Sequence, residues 1–175
     1  MSDQNRTDGA PALTMLSEEE EMFREAVRDF AESEIAPRTT EMDRNEAFDA
    51  DLIPQLFELG LMGIEIPEEM GGAGSTFFTS ILVVEELSRV DPAVGVLVDV
   101  QNTLCINAFV RWGSEAQKVE FLPRLASDTV GAYALSEAGR GSDAFALACR
   151  ATQDGDDWVL SGQKLWITNG NEAGI

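Results

Sequence analysis

The stretch from Asp91 to Gly113 constrains the fold of this chain more than any other. Asp91 before Pro92 is typical of a helix start, because the Asp side chain caps the first turn and Pro needs no amide donor there. The residues that follow are apolar on nearly all sides, which predicts the central helix of a bundle. Gln101 and Asn102 are its polar exceptions. Burial with hydrogen bonds between helices is the favoured interpretation of both, and contact with a ligand is the alternative.

Helical patterns flank this central helix on both sides. Ser17 and Glu20 form a capping-box pattern for a helix over residues 16–36, and four consecutive Glu residues suit the positive end of its dipole. Apolar residues at helical spacing predict further helices over residues 51–59, 76–89 and 114–126. Residues 61–75 are predicted to be extended. Their glycine cluster at 71–74 lacks the Lys of a P-loop, so it is interpreted as a structural loop.

The pattern changes at Gly131, where short alternating segments separated by turn residues replace the helical spacing. They predict strands over residues 131–135, 147–153, 157–161 and 163–168. The predicted fold class is α+β, with an all-α helical bundle followed by the beginning of an antiparallel β domain. We expect a disordered lead-in over residues 1–14, a helical domain over 15–129 and a β domain over 130–175. Since so few strands leave open edges, the β domain is expected to be incomplete.

The composition of the chain excludes several classes of function. The formal net charge is −20, with 32 acidic and 12 basic residues, so nucleic acid is not expected as a partner. An acidic surface poor in Lys also suits a high-salt cytoplasm, while a merely acidic protein is the simpler interpretation. The absence of His excludes imidazole metal sites and His-based triads, and no metal site is predicted.

Expectations about compartment also follow from the sequence. The N-terminal residues lack the apolar core of a signal peptide and the Arg-rich character of a transit peptide. No apolar run comes close to the roughly 20 residues that a membrane helix needs, so no membrane association is expected. Cys105 and Cys149 lie in apolar contexts without metal-binding spacing. We therefore expect a cytoplasmic protein in which both cysteines are reduced core residues.

Two runs in the β part carry the chemistry of the chain. The first, from Tyr133 to Asp143, is an apolar segment that opens into a Ser-Glu turn and a glycine-rich loop. The second, over residues 162–170, carries the indole of Trp166. Together they offer a flat aromatic wall, a hydroxyl and free backbone N–H groups. Those groups suit a planar cofactor that carries a pyrophosphate.

These two runs resemble signature segments of the acyl-CoA dehydrogenase family. The segments at residues 59–74 and 85–95 also resemble landmarks of that family, and the resemblance covers residues 16–175. It corresponds to the whole N-terminal helical domain and the first part of the middle β domain. Within the family, residues 101–104 are most similar to the short/branched-chain members.

The resemblance implies an enzyme that uses FAD to desaturate an acyl-CoA thioester between its α and β carbons, in fatty-acid β-oxidation or branched-chain amino-acid catabolism. In the family a glutamate takes the α proton, and the β hydrogen leaves as a hydride. That glutamate is implied to lie beyond residue 175, so no catalytic residue is predicted in this chain, which alone would be inactive. Electron-transferring flavoprotein is implied as the electron acceptor, and a homotetramer as the assembly.

The resemblance also implies which residues would bind the cofactor. They are Tyr133, Leu135, Ser136, Gly141, Ser142, Trp166, Ile167 and Thr168. Trp166 would pack on the flavin ring, and the Ser136 hydroxyl would bond its polar edge. Thr168 would bond the phosphate or ribityl region. Ser142 is the position that the family also uses towards the acyl-CoA substrate.

Two charged residues of the first run need separate interpretation. Glu137 could be taken for a catalytic base, but a structural role in holding the turn is favoured. Arg140 departs from the family, which usually has a small residue there. An Arg needs room, so it either points to solvent, which is the favoured interpretation, or meets a phosphate.

Two other functional classes stay open. A flavin-dependent oxidase or monooxygenase of the same fold would react with oxygen and form hydrogen peroxide on turnover. An inactive truncated fragment would fold in its helical part and bind no flavin tightly.

Overall fold

The computed structural model describes residues 15–175, and the lead-in expected over residues 1–14 lies outside the described residues. The helices are α1 (Glu18–Phe30), α2 (Thr39–Asn45), α3 (Leu52–Glu58), α4 (Phe77–Val90), α5 (Pro92–Asp99), α6 (Asn107–Trp112) and α7 (Glu115–Ser127). The strands are β1 (Arg150–Asp154) and β2 (Asp157–Ser161), which pair in antiparallel fashion. This confirms an α+β fold in which a helical bundle precedes an antiparallel β part.

Capping interactions explain where three of the helices begin. At α1 the Ser17 side chain accepts the Glu20 N–H, and the Glu20 carboxylate accepts the Ser17 N–H. Ser114 and Gln117 form the same reciprocal box at α7. Asp91 caps α5 by accepting backbone N–H groups of its first turn. Such caps contribute about 1 kcal/mol each, and all three lie where the sequence predicts them.

The central helix is continuous from Pro92 to Trp112, but its middle is a π-helical segment, Val100–Ile106, between α5 and α6. A second π-helical segment, Ala31–Ile35, extends α1. The sequence predicts both helices but neither π segment. Hydrophobic periodicity shows where a helix lies, but it does not show where the hydrogen-bond pattern within the helix changes to that of a π-helix.

By length and composition alone, the helix Pro92–Trp112 could cross a membrane, since it has 21 residues and an 18-residue window with a mean hydropathy of 1.5. The expectation that no stretch of the chain reaches this length and hydropathy is therefore wrong. Half of that window is buried inside the fold, and core helices of folded domains show the same combination.

The helices pack around one large apolar core and a smaller one under α7. Members of the large core include Val27, Phe30, Ile35, Leu52, Leu56, Met62, Val83, Leu87, Val94 and Val98. One ion pair crosses this region: Arg28 of α1 donates to both carboxylate oxygens of Glu86 in α4, at 2.9 and 2.6 Å. Glu86 is only 3% exposed, and the hydrogen bonds from Arg28 lower the pKa of its carboxyl. This pair fixes α1 on α4.

Two segments before α4 differ from the prediction. The sequence predicts no helix at α2, because this helix buries no residue fully and so carries no apolar stripe. Residues 61–75 are predicted to be extended, but they form turns and a 3-10 helix, Glu68–Met70. The buried side chains of Leu61, Ile64 and Ile66 explain the alternating pattern without a strand.

The glycine cluster at residues 71–74 is a structural loop, as predicted. A Cβ on Gly72 would lie 2.1 Å from the Ile66 carbonyl oxygen, so only glycine fits there. The Gly74 N–H donates to that same oxygen at 2.9 Å, and the Gly72 N–H donates to the Pro67 oxygen at 3.2 Å. These amide donors are used inside the loop and therefore do not form a phosphate cradle.

Only two of the four predicted strands form in the described part of the chain. β2 forms where predicted, and β1 begins at Arg150 rather than at 147. Residues 131–135 and 163–168 are not strands, which corrects the prediction. A strand needs a hydrogen-bonded partner along its length, and neither segment has a ladder. Trp166 also has a φ of 58°, which a strand residue does not adopt.

The two cysteines are free, and only one belongs to the core. Cys105 is buried, and this burial raises the pKa of its thiol to about 11. Cys149 is half-buried at the approach to β1, where its N–H donates to Glu137 Oε1 at 2.9 Å. The expectation of a core position is therefore wrong for Cys149, because the residues on either side of it in the chain, Ala148 and Arg150, are exposed.

Candidate functional site

The two runs that the sequence singles out lie side by side in the structure. The Leu165 N–H donates to the Ser136 carbonyl oxygen at 2.8 Å. One residue earlier, Lys164 Nζ donates to the Leu135 carbonyl oxygen at 2.9 Å. These bonds join residues 29 positions apart in the chain and bring the first run against the segment that carries Trp166.

The Glu137 carboxylate holds this junction together. It accepts hydrogen bonds from Lys164 Nζ at 2.8 Å and from the N–H groups of Ala148 at 2.7 Å and Cys149 at 2.9 Å. The bond from Lys164, followed by the two backbone bonds, lowers the pKa of Glu137 to about 2. A carboxylate so firmly ionised is a poor proton acceptor. The structure thus gives Glu137 the structural role expected of it.

Trp166, unlike the half-buried Glu137, is almost fully exposed, and its indole points into solvent. Its side chain is 92% exposed, and its φ of 58° places a bulky residue in the left-handed region. That conformation costs on the order of 1–3 kcal/mol and persists only where the surroundings enforce it. Exposure and strain at one residue mark it as a candidate binding residue.

The apolar side chains of the first run are also open to solvent. Tyr133 and Leu135 are each 39% exposed, and Ser136 is half-buried. Tyr133 forms part of the wall of a cavity of about 390 Å³ on the side of the central helix. The other lining residues are Phe77, Thr103, Leu104, Asn107, Arg111 and Trp112. The site therefore combines an exposed aromatic wall with an adjoining cavity.

Gly141 and Ser142 lie on an exposed loop that follows the Glu137 turn. The hydrogen bonds of this loop run to Arg140 and Asp143 and not to the segment over residues 162–170. Arg140 is exposed, as predicted, but its guanidinium is not free. Its Nε donates to the Ala146 carbonyl oxygen and its Nη1 to that of Gly139, both at 2.8 Å.

Comparison with protein families identifies both parts of the chain. A family model described as acyl-CoA dehydrogenase, N-terminal domain, matches residues 17–129. A second, described as acyl-CoA dehydrogenase, middle domain, matches residues 132–175.

The chain belongs to the acyl-CoA dehydrogenase family.

Curated members of this family are similar over nearly the whole chain. A probable short/branched chain specific acyl-CoA dehydrogenase of Dictyostelium discoideum is 48% identical over 164 residues, which cover 93% of this chain and 40% of that protein. The mitochondrial short/branched chain specific acyl-CoA dehydrogenase of Bos taurus is 41% identical over 172 residues, which cover 97% of this chain and 40% of that protein. The chain thus spans about 40% of the length of these relatives.

Solved structures show the same acyl-CoA dehydrogenase architecture. A glutaryl-CoA dehydrogenase of Mycobacterium smegmatis in complex with FADH2 has a TM-score of 0.84 and 34% identity, over 90% of this chain and 41% of that one. A chain from a structure of the electron transferring flavoprotein of Acidaminococcus fermentans has a TM-score of 0.87 and 38% identity. It covers 91% of this chain and 42% of that one.

The named compartment of the acyl-CoA dehydrogenase relatives overturns one expectation. The bovine and rat short/branched chain enzymes and the bovine short-chain enzyme are mitochondrial. The cytoplasmic location expected from the N-terminal residues and the reduced cysteines is therefore contradicted by the mitochondrial location of these relatives.

The chemistry of the residues at the candidate site is compatible with a flavin. Within residues 15–175, the N–H groups and hydroxyls of Ser136 and Ser142 make no hydrogen bond, and neither does the hydroxyl of Thr168. Of these open groups, those of Ser136 lie next to the segment that carries the exposed indole, because the Leu165 N–H donates to the Ser136 carbonyl oxygen at 2.8 Å. Open polar groups near an exposed aromatic ring suit a planar, polar-edged ligand. Ile167 is half-buried, and its carbonyl oxygen accepts the Gly170 N–H at 3.1 Å.

Two amide side chains, those of Gln101 and Asn169, anchor this site, and the sequence predicts neither contact. The Asn169 side chain donates to the carbonyl oxygens of Leu97 at 3.2 Å and Gly131 at 3.1 Å, which fixes the second run on α5. The Gln101 side chain accepts the Gly131 N–H at 2.6 Å. The sequence predicts burial for Gln101, which is fully buried. For Asn169 the only signal is its place in an Asn-Gly turn dipeptide.

Proposed function

We propose that the full-length protein is an FAD-dependent acyl-CoA dehydrogenase that introduces a double bond between the α and β carbons of an acyl-CoA thioester. The observation that carries the proposal is the junction at Ser136 and Leu165, which sets the open donors of the first run beside the exposed indole of Trp166. Family membership and the FADH2 complex of the related glutaryl-CoA dehydrogenase support the choice of cofactor.

The residues of this chain would bind and orient the cofactor. The rings of Trp166 and Tyr133 and the side chain of Leu135 offer apolar surface, and Ser136 and Thr168 offer hydrogen bonds. Flavin, when bound, supplies an electron-poor ring that accepts a hydride. The firmly ionised Glu137 keeps the two runs together and takes no part in proton transfer. Ile167, Gly141 and Ser142 are proposed to complete the cofactor contacts.

The cavity next to Tyr133 supports binding of the acyl group. Its walls include the apolar side chains of Phe77, Leu104 and Trp112, and burial of each CH₂ of an acyl chain contributes about 0.8 kcal/mol. Ser142 is proposed to face the thioester end of the substrate. The short/branched chain specificity of the relatives makes a short or branched acyl group the proposed substrate, in fatty-acid or branched-chain amino-acid catabolism.

The proton-abstracting glutamate and the partners of the enzyme complete the proposal. No residue of this chain is proposed as the base; a glutamate from the remaining part of the full-length protein takes the α proton. Electron-transferring flavoprotein is proposed as the electron acceptor, and the structural similarity to a chain from a structure of the electron transferring flavoprotein of Acidaminococcus fermentans supports this choice. A homotetramer is the proposed assembly.

The test measures cofactor and reaction separately on the full-length protein. Purified protein should absorb near 450 nm, which is about where flavins absorb, and butyryl-CoA or 2-methylbutyryl-CoA should bleach that band without oxygen. The expected product is the enoyl-CoA. With an artificial electron acceptor, two electrons should reach the acceptor for each double bond formed.

Two outcomes would overturn the proposal in different ways. Stoichiometric hydrogen peroxide with oxygen as the acceptor would indicate an oxidase or monooxygenase of the same fold. A colourless protein that takes up no FAD in a fluorescence titration would indicate a chain that folds without a cofactor.

A further inference from the structure

The loop from Gly141 to Phe145 receives almost no support from packing. Gly141 and Ser142 are exposed, and the Phe145 side chain is fully exposed at 105%. A Cβ placed on Gly139 or Gly141 would meet no atom within 4 Å. A loop with so little packing, which begins at Gly141 and follows a second glycine at 139, is expected to sample many conformations unless hydrogen bonds restrain it.

Arg140 supplies that restraint at both ends of the loop. Its Nε donates to the Ala146 carbonyl oxygen, six residues ahead, and its Nη1 donates to the Gly139 carbonyl oxygen, both at 2.8 Å. A planar guanidinium can make two such bonds at once in a fixed geometry, whereas a lysine ammonium cannot reproduce the fork.

The backbone of Arg140 is itself fixed, so the guanidinium acts from a defined position. The Glu137 N–H donates to the Arg140 carbonyl oxygen at 3.0 Å, and the Arg140 N–H returns a bond to the Glu137 oxygen at 3.0 Å. The Glu137 side chain is in turn bound to Lys164 and to the backbone of Ala148. The restraint on the loop therefore extends to the junction between the two runs.

We infer that Arg140 is a positioning residue, which holds the loop Gly141–Phe145 in one conformation so that Gly141 and Ser142 can meet their ligand. The role of the loop in ligand binding rests on the proposed function. The restraint itself rests only on the two main-chain carbonyls that the guanidinium binds.

The test compares three variants of the full-length, FAD-supplemented protein. Arg140→Ala removes both side-chain bonds, Arg140→Lys keeps the charge but not the fork, and Arg150→Ala is a matched control at an exposed arginine of β1. Amide hydrogen exchange at Ala146, whose N–H donates to the Asp143 carbonyl oxygen at 3.2 Å, should speed up by about tenfold in Arg140→Ala and less in Arg140→Lys. It should be unchanged in Arg150→Ala.

Ligand measurements then separate positioning from direct contact. If Arg140 positions the loop, Arg140→Ala should raise KM for acyl-CoA several-fold and leave kcat within about twofold. The amide hydrogen of Ala146 should also exchange faster in the absence of any ligand. Exchange equal to that of the parent protein would overturn the inference. So would a loss of acyl-CoA affinity without faster exchange, because it would show that Arg140 binds the ligand phosphate. If the parent protein has no acyl-CoA activity, the proposed function fails, and the exchange of the loop still decides the inference.

Discussion

At the scale of single residues, Glu137 and Trp166 differ in how the surrounding protein contacts their side chains. Glu137 accepts three hydrogen bonds and is firmly ionised. Trp166 is 92% exposed and sits in a strained backbone conformation. The first residue stabilises the site and the second is available to a ligand, so substitutions at the two should separate stability from binding.

Stability should depend on pH through Glu137. Its pKa of about 2 in the folded protein is lower than about 4.3, the ordinary value for Glu, so the unfolded chain binds more protons in this range. The stabilisation from this carboxylate is complete above about pH 4.3 and is lost as the pH falls towards 2. The difference in Tm between the parent protein and Glu137→Gln should therefore shrink as the pH is lowered from about 5 to about 2.

A second variant tests the cause of that pH dependence. Lys164→Met removes the strongest of the interactions that lower the pKa of Glu137, so its Tm should vary less with pH in the same range. A difference between parent and Glu137→Gln that stays constant from pH 5 to pH 2 would contradict the assignment.

Trp166 should be dispensable for stability but not for flavin binding. Glycine tolerates a positive φ, so Trp166→Gly should be more stable than Trp166→Ala by about 1 kcal/mol in chemical unfolding. Both variants should bind FAD between about twofold and tenfold more weakly, because an aromatic contact is lost. Trp158→Ala is the control, since Trp158 is 62% exposed on β2, and its FAD affinity should equal that of the parent. Equal affinity in Trp166→Ala would exclude a contact between this indole and the flavin.

At the scale of elements, the central helix connects the bundle to the site. Asn102 donates to the carbonyl oxygens of Leu61 at 2.8 Å and Val98 at 3.0 Å, and its Oδ1 accepts the Ile64 N–H at 2.9 Å. Gln101 faces the other way, towards the end of α7 and the start of the β part. Adjacent buried amides in the π-helical segment thus bind two different stretches of main chain.

Loss of the Gln101 amide should destabilise the protein. Its Nε2 donates to the carbonyl oxygens of Leu125 and Thr129, at 2.9 and 3.1 Å, and its Oε1 accepts the Gly131 N–H. Gln101→Ala leaves these buried groups without partners and creates a cavity, so we expect a loss of about 2–4 kcal/mol in the free energy of unfolding. Urea titration followed by circular dichroism measures this loss.

Two further variants define the origin of that loss. Gln101→Met has nearly the same volume and should still lose most of the stability if hydrogen bonds dominate. Gln55→Ala is the control, since the Gln55 side chain is only half-buried and donates to the carbonyl oxygen of Asp51, the residue before α3. It should change the free energy by no more than about 0.5 kcal/mol. A Gln101→Met variant as stable as the parent would contradict the role of the hydrogen bonds.

At the scale of the whole molecule, charge is the dominant property. The formal net charge of −20 on 175 residues favours expansion of the chain through self-repulsion. Some basic side chains pair with acidic ones, as Arg28 does with Glu86 and Arg38 with Asp49, but the acidic residues outnumber the basic ones by 32 to 12. Added salt screens repulsion between exposed charges, since the Debye length falls from about 10 Å at 0.1 M to about 3 Å at 1 M.

Stability should therefore rise with salt. We expect a higher Tm in 2 M than in 0.1 M potassium chloride, measured by differential scanning fluorimetry at neutral pH. A variant with Glu58→Gln and Glu120→Gln, both exposed, should gain stability in low salt and show a weaker dependence of Tm on salt. A Tm that is equal at the two concentrations, or the same salt dependence in the variant, would show that self-repulsion does not limit stability.

Local sequence patterns could predict the helical part and the segments of the site. Ser17, Asp91 and Ser114 mark helix starts through side chains that bind the next few N–H groups, and such contacts need no information from distant residues. The runs around Ser136 and Trp166 could be found for the same reason, because their residue types carry the chemistry. The short α2 could not, since it buries no side chain fully.

The tertiary structure alone decided how those parts are held together. The carboxylate of Glu137 meets Lys164 across 27 residues, and Asn169 reaches Leu97 across 72. No periodicity encodes such pairs. The expected strands over 131–135 and 163–168 depend equally on distant partners, because a strand exists only through the ladder it forms. The sequence by itself determined the helix starts and singled out the two runs of the candidate site, since these patterns are local. The structure decided which residues hold the two runs together and which side chains stay exposed, since those properties come from contacts between distant parts of the chain.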